Sequence, residues 1–138
     1  MNKDDLQKIS VMRLDEAALL LDHNFFDGAY YLLGYSIECA LKACIAKQFK
    51  EHDFPDKKLV NASHTHQLDN LQGIAGLKQK LLDDQKENEE IELNWALVKD
   101  WSVDDRYQHG ISEQKAKDYY EAVTQEDTGI FSWLKNCW

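Results

Sequence analysis

Turn-forming residues are scarce in this chain of 138 residues: Pro55 is the only proline and glycine occurs six times. That scarcity excludes a many-stranded sheet protein, which needs frequent breaks, and points to a few long helices. No run approaches the roughly 18 apolar residues of a membrane span, so no membrane partner is expected. The opening Met1-Asn2-Lys3-Asp4-Asp5 is acidic and has neither the basic start nor the apolar stretch of a signal peptide. Clustered Lys and Arg are missing as well, and the formal net charge is −9. A broad phosphate-tracking surface is thereby excluded, and any nucleic-acid contact has to be local or shared with a partner. The acidity itself accounts for solubility. The three cysteines, Cys39, Cys44 and Cys137, are odd in number and lack framework spacing. They read as reduced thiols of a cytoplasmic protein. Cys39 and Cys44 lie five apart on an expected helix, point in different directions and read as small core or boundary residues.

What the chain does have is enough apolar content, 43%, for one core. Residues 1–138 read as a single all-α domain, an up-and-down antiparallel helical bundle of four to five main helices with short helical pieces. Residues 4–22 form the first helix: Leu6, Ile9, Ala17 and Leu20 align, with Leu14, Ala18 and Leu21 beside them. Arg13 interrupts this stripe, either snorkelling at the core edge or facing a cleft. Asn24 is placed as the N-cap of a second helix over residues 25–50, where apolar residues from Ala29 to Phe49 recur at three and four. Gly28 and Gly34 lie near that stripe at a cost of about 1 kcal/mol each against Ala, which implies close approach of another helix.

Residues 51–63 read as a polar connection around Pro55. Ser63-His64-Thr65-His66 then opens a short helix carrying Leu68, Leu71 and Ile74, and Leu77, Leu81 and Leu82 suggest another. The charge run 83–90 reads as a solvated helix end or loop. Ile91, Trp95 and Val98 are spaced for a helix that includes Trp101, and residues 102–111 carry no helical stripe. Ser112 is placed as the N-cap of a last helix that runs to the C-terminus, with a kink near Asp127 and Gly129. The two longest helices are expected near 25–50 and 112–136.

Three groups of residues are candidates for chemistry. His64 and His66 form a His-x-His pair, which falls short of a metal ligand set and reads as helix-start capping and packing, so neither a metal nor a cofactor is expected. Glu38 and Lys42 sit four apart on the most apolar helix. A carboxylate there needs a partner, either Lys42 or Arg106, and the pair is either a boundary ion pair or a polar group lining a cleft. Arg106, Tyr107 and His109 lie together before the last helix: a fork of donors for phosphate, a ring to stack on a base, and a group that moves protons near neutral pH.

The stretch Phe26 to Ala43, with Ala29-Tyr30-Tyr31-Leu32-Leu33-Gly34-Tyr35-Ser36-Ile37-Glu38-Cys39-Ala40-Leu41-Lys42 at its centre, resembles the signature helix of the HEPN family (higher eukaryotes and prokaryotes nucleotide-binding). His64-Thr65-His66-Gln67-Leu68 with Leu71 is similar to that family's His-Asp-Leu helix start, and Trp101 followed by Arg106-Tyr107 is similar to its Arg-Tyr stretch. The three blocks occur in family order over about residues 10–125. The resemblance implies a helical bundle, usually a symmetric dimer, often partnered with a minimal nucleotidyltransferase in toxin–antitoxin or defence modules. Many members are metal-independent ribonucleases with an Arg, four to six residues, then a His. Counted from Arg106 that His falls at Ile111, Ser112 or Glu113, whereas His109 follows after only two residues. Arg106 therefore carries over and the catalytic His does not. The leading expectation is a HEPN-like domain that binds nucleotide, RNA or a partner protein through Glu38, Lys42, Arg106 and Tyr107, with His109 beside them. The alternatives are a divergent ribonuclease toxin that uses Arg106 and His109, and a purely structural, antitoxin-like subunit.

Overall fold

The computed structural model describes residues 1–49, 54, 56–107 and 109–138. Among them are eight α-helices, one 3-10 turn and no strand. The first two helices are the longest: α1 spans Lys3–Asp22 (20 residues) and α2 spans Phe26–Ala46 (21 residues). A capping box starts α1, since the Asp5 amide donates to Asn2 Oδ1 (2.9 Å) and the Asn2 amide donates to Asp5 Oδ2 (3.1 Å). The short link between them folds α2 back along α1 as an antiparallel pair, the most extensive helix contact in the molecule. Asn24 is not the N-cap of α2: it takes up the left-handed turn (φ 66°), which Asn tolerates, and Phe25 holds the cap position with no side-chain hydrogen bond.

Helix α2 is the centre of the bundle. Ala29, Leu33, Ile37, Ala40, Leu41 and Ala43 on it are fully buried. Only close packing on several sides leaves such a run without water, and α2 packs against α1 and four later elements. The helix ends at Ala46, four residues short of the expected span, because the amides of Gln48 and Phe49 turn back three residues to Ile45 and Ala46. Gln48 then ties this end to the Ile74 carbonyl (3.2 Å). Its expected last residue, Lys50, lies outside the described residues, as do Glu51, His52, Asp53 and Pro55 of the expected polar connection. The described part of that connection contains a helix, α3 (Lys57–Ala62), started by Asp56, whose carboxylate accepts from the Lys58 amide (2.9 Å).

Three further helices follow: α4 (Leu68–Ile74), α5 (Lys78–Glu87) and α6 (Glu89–Val98). The histidine pair precedes α4 rather than opening it, and Gln67 is the cap. The charge run straddles the end of α5 and the start of α6, with Asn88 as the N-cap between them. Trp101 lies past the end of α6 yet is only 3% exposed, because its ring seats on Gly34 of α2. A methyl group at Gly34 would overlap that ring. At Gly28 the close neighbour is Leu20 of α1. Glycine thus admits one side chain from a helix and one from a connection.

The 3-10 turn covers Val103–Tyr107 and packs on α2. The last helical region is two helices, α7 (Glu113–Thr124) and α8 (Ile130–Lys135), where one long helix was expected. Asp127 sits at φ 65°, incompatible with helix, and the chain restarts with Gly129 as the cap of α8. The break lets Ile130 and Leu134 turn fully into the core while α7 buries Tyr119 and Val123. The five helices of ten or more residues and three shorter ones form the expected all-α bundle.

Candidate functional site

Glu38 is 1% exposed, flanked on α2 by the fully buried Ile37 and Leu41. A carboxylate so placed costs several kcal/mol unless it is paired. Its Oε1 accepts from Lys42 Nζ one turn later (3.1 Å) and from His66 Nδ1, brought in by the segment before α4. Oε2 is buried with no hydrogen-bond partner. Nδ1 is the His66 ring nitrogen turned toward this carboxylate. The His66 side chain is 53% exposed, which makes it the solvent-facing end of this buried pair.

His66 stands at the rim of a cleft of about 530 Å3, whose walls include Asp69, Lys99, Trp101, Val103 and Asp104. Trp101 Nε1 in this wall is buried without a hydrogen-bond partner. Behind it lies an aromatic row: Tyr31 is 5.8 Å from Trp101 and 6.3 Å from a nearly parallel Tyr35, centroid to centroid. Burial raises the Tyr35 hydroxyl pKa, helped by Cys39 and the charge of Glu38. Burial and then Glu38 push the neighbouring Cys39 thiol up to about 11, so it is no nucleophile at neutral pH.

Arg106 and Tyr107 lie at the far end of the 3-10 turn. The guanidinium stands 4.8 Å over the Tyr107 ring, and Tyr107 is 73% exposed. Among the described residues Arg106 makes no ion pair, and Glu38 takes Lys42 and His66 instead. His109 is exposed. The residues after it are tied to the start of α2: the amides of Gly110 and Ile111 donate to the Asp27 carboxylate (3.3 and 2.7 Å). Asp27 precedes Glu38 by eleven residues of helix, about 16 Å at 1.5 Å per residue. The structure therefore brings Glu38 and Lys42 together, and Arg106 and Tyr107 together, and holds His109 about three turns from Glu38. The cleft wall runs from His66 to Asp104, and none of Glu38, Lys42, Arg106, Tyr107 and His109 is part of it.

Sequence reasoning singled out His66 only for capping and packing, and gave Asp27 no role. Their partners lie 28 and 83 residues away in the chain, and no local spacing reports such pairings. The one available signal was chemical, since a carboxylate in the most apolar helix demanded a cationic or hydrogen-bonding partner. Arg13 is half-buried and pairs with Glu16 (2.6 Å). Among the described residues no three His, Cys, Asp or Glu side chains are grouped to hold a metal ion, and His64 stands apart from the Glu38 pair. No helix there is long and apolar enough to cross a membrane. No protein-family model, curated protein or solved structure matches the chain.

Proposed function

We propose that this protein is a HEPN-like domain that binds a phosphate-bearing ligand, a nucleotide or a short stretch of RNA, at the Arg106–Tyr107 step beside the cleft, without the standard ribonuclease motif. The observation that carries this reading is the exposed guanidinium lying over an exposed ring. Among the described residues Arg106 has no carboxylate partner, so its donor fork is open to phosphate, and the adjacent ring offers a face to a base. The resemblance to the HEPN family supports the same ligand class. The acidic surface restricts contact to a few groups, so binding is local and weak in salt.

A second reading is favoured by a separate observation. Val11, Met12 and Leu19 on the outer side of α1 are 40%, 51% and 61% exposed, an apolar line that water covers in the free chain. It fits a protein partner, either a second copy in a homodimer or a companion such as a minimal nucleotidyltransferase in a cytoplasmic toxin–antitoxin or defence module.

The test is nuclear magnetic resonance titration of the labelled chain with a nucleoside triphosphate. The expected result is amide shifts concentrated at residues 103–110. Shifts confined to α1, or none at millimolar ligand, would contradict the phosphate reading.

A further inference from the structure

We propose that a second cavity, floored by Tyr30 and ringed by Asp100, Asp105 and Asp118, is a binding site for an aliphatic polyamine, a chain of methylenes carrying separated ammonium groups. The inference is independent of the phosphate reading, since it concerns a different cavity and a ligand of opposite charge.

The 3-10 turn contributes to two hollows. Asp104 stands on the wall of the cleft, and Asp105 beside it stands on the wall of a cavity of about 430 Å3 between α2, the end of α6 and the start of α7. Asp100 and Asp118 complete the acidic lining, and Lys115 is the cation there. Three carboxylates against one ammonium attract a further cation and repel phosphate. Acidic residues alone would be a solvated face, but the floor is of another kind. Tyr30 is 3% exposed and lines the cavity. The Tyr119 hydroxyl next to it donates to the Val98 carbonyl (2.9 Å), whereas the Tyr30 hydroxyl makes no hydrogen bond among the described residues. Polar groups so deep are nearly always paired, and a ligand in the cavity supplies the missing partner. Burial, then Asp105 and Asp100, raise this hydroxyl to about 12, so it stays neutral and accepts from an ammonium group.

The lining also selects among cations. Among the described residues no three acidic side chains are grouped to hold a metal ion, so a point charge finds no ligand set. Carboxylates that stand apart fit ammonium groups that stand apart. Leu97, 47% exposed, and the Tyr30 and Tyr119 rings, 4.7 Å between centroids, offer apolar surface to the methylenes. The Tyr30 ring already carries one alkylammonium, since Lys115 Nζ stands 5.0 Å from its centroid. The start of α7 favours an anion, but one of its amides, that of Lys115, is taken by Ser112 Oγ (3.0 Å).

The test is calorimetric titration of the full chain with the triamine spermidine at low salt, with magnesium chloride and a tri-lysine peptide titrated in parallel. The wild type is expected to bind spermidine below millimolar concentration, and the other two at least about tenfold more weakly. Y30F is expected to keep its thermal midpoint and to weaken binding by about tenfold, the loss of one hydrogen bond to a charged group. D100N, at an exposed position, is expected to weaken it by about threefold, and K115A to tighten it by about twofold, as removal of single exposed charges does. E90Q removes an exposed charge at the other end of α6 and is expected to change nothing. No binding of spermidine, equal binding by Y30F and the wild type, or equal weakening by E90Q and D100N overturns the site. Magnesium bound as tightly as spermidine marks a general acidic surface, and the peptide bound more tightly marks a contact for a basic protein; either result overturns the polyamine assignment.

Discussion

Glu38 shows at the residue scale how far chemistry on a sequence reaches. A carboxylate in an apolar helix announces that it needs partners, and Lys42 four residues on was legible from helical spacing alone. His66 was not, because its approach depends on how α4 docks. Glu38→Ala removes the shared partner of Lys42 and His66. We expect a loss of about 2 kcal/mol, in the range for stranding buried polar partners, read as a lower urea midpoint at unchanged slope. Gly34 was legible as a point of close approach, but its partner was expected on a helix and is the ring of Trp101. Gly34→Ala forces that ring off α2, at a cost of about 1–3 kcal/mol. Its signature is a red-shifted tryptophan emission as Trp101 meets water, and unchanged emission would count against the packing described. The thiols were read correctly as buried small residues for Cys39 and Cys44, whose pKa values burial pushes up to about 11 and about 12. At pH 8 a thiol reagent is expected to label the partly exposed Cys137 first and the other two only in denaturant.

Elements with an unbroken three-four pattern were legible, and boundaries set by single backbone angles were not. The stripe on α2 and the span of α1 follow from periodicity, and Ser112 was identifiable by type as a cap: its hydroxyl accepts from the Lys115 amide (3.0 Å). The division of the last region into α7 and α8 turns on the left-handed Asp127, which a pattern reading registers only as a kink. Helix α3 was hidden in a polar stretch because its start depends on Asp56 rather than on an apolar stripe. Ser112→Ala is expected to lower stability by about 1 kcal/mol, the usual worth of such a cap. The connection between the 3-10 turn and α7 is held by Asp27, in the first turn of α2. Asp27→Ala strands two amides at once. We expect a loss of about 1–2 kcal/mol and faster hydrogen exchange at Gly110 and Ile111. Unchanged exchange there would show that the loop is positioned by something else.

For the whole molecule, fold class was legible because scarcity of turns and helical periodicity point the same way, whereas the site was legible only in parts, since no local spacing reports which segments share a cleft. Bulk charge and burial also govern stability against pH. Burial, then the nearby Asp105 and Asp100, raises the Tyr30 hydroxyl from 10.0 to about 12, and burial raises Cys39 and Cys44 from 9.0 to about 11 and about 12. A group whose pKa is raised by folding stabilises fully below its unfolded value and loses that contribution as pH climbs to the folded one. The urea midpoint is therefore expected to hold at pH 8 and to fall steadily between about pH 9 and 12, and a flat profile would contradict the burial of these groups. The apolar line on α1 motivates the dimer proposal, for which light scattering at tens of micromolar should give twice the 16.1 kDa of one chain. A monomer there would remove the support of that face.

The central claim is that Arg106 and Tyr107 take a phosphate-bearing ligand, and fluorescence anisotropy of a labelled single-stranded RNA tests it most directly. At low salt the wild type is expected to bind, H109A to bind within about twofold, and R106A to weaken binding by at least about tenfold, the consequence of losing a charged hydrogen-bonding fork. Equal binding by R106A and the wild type, or no binding by either, would contradict the account.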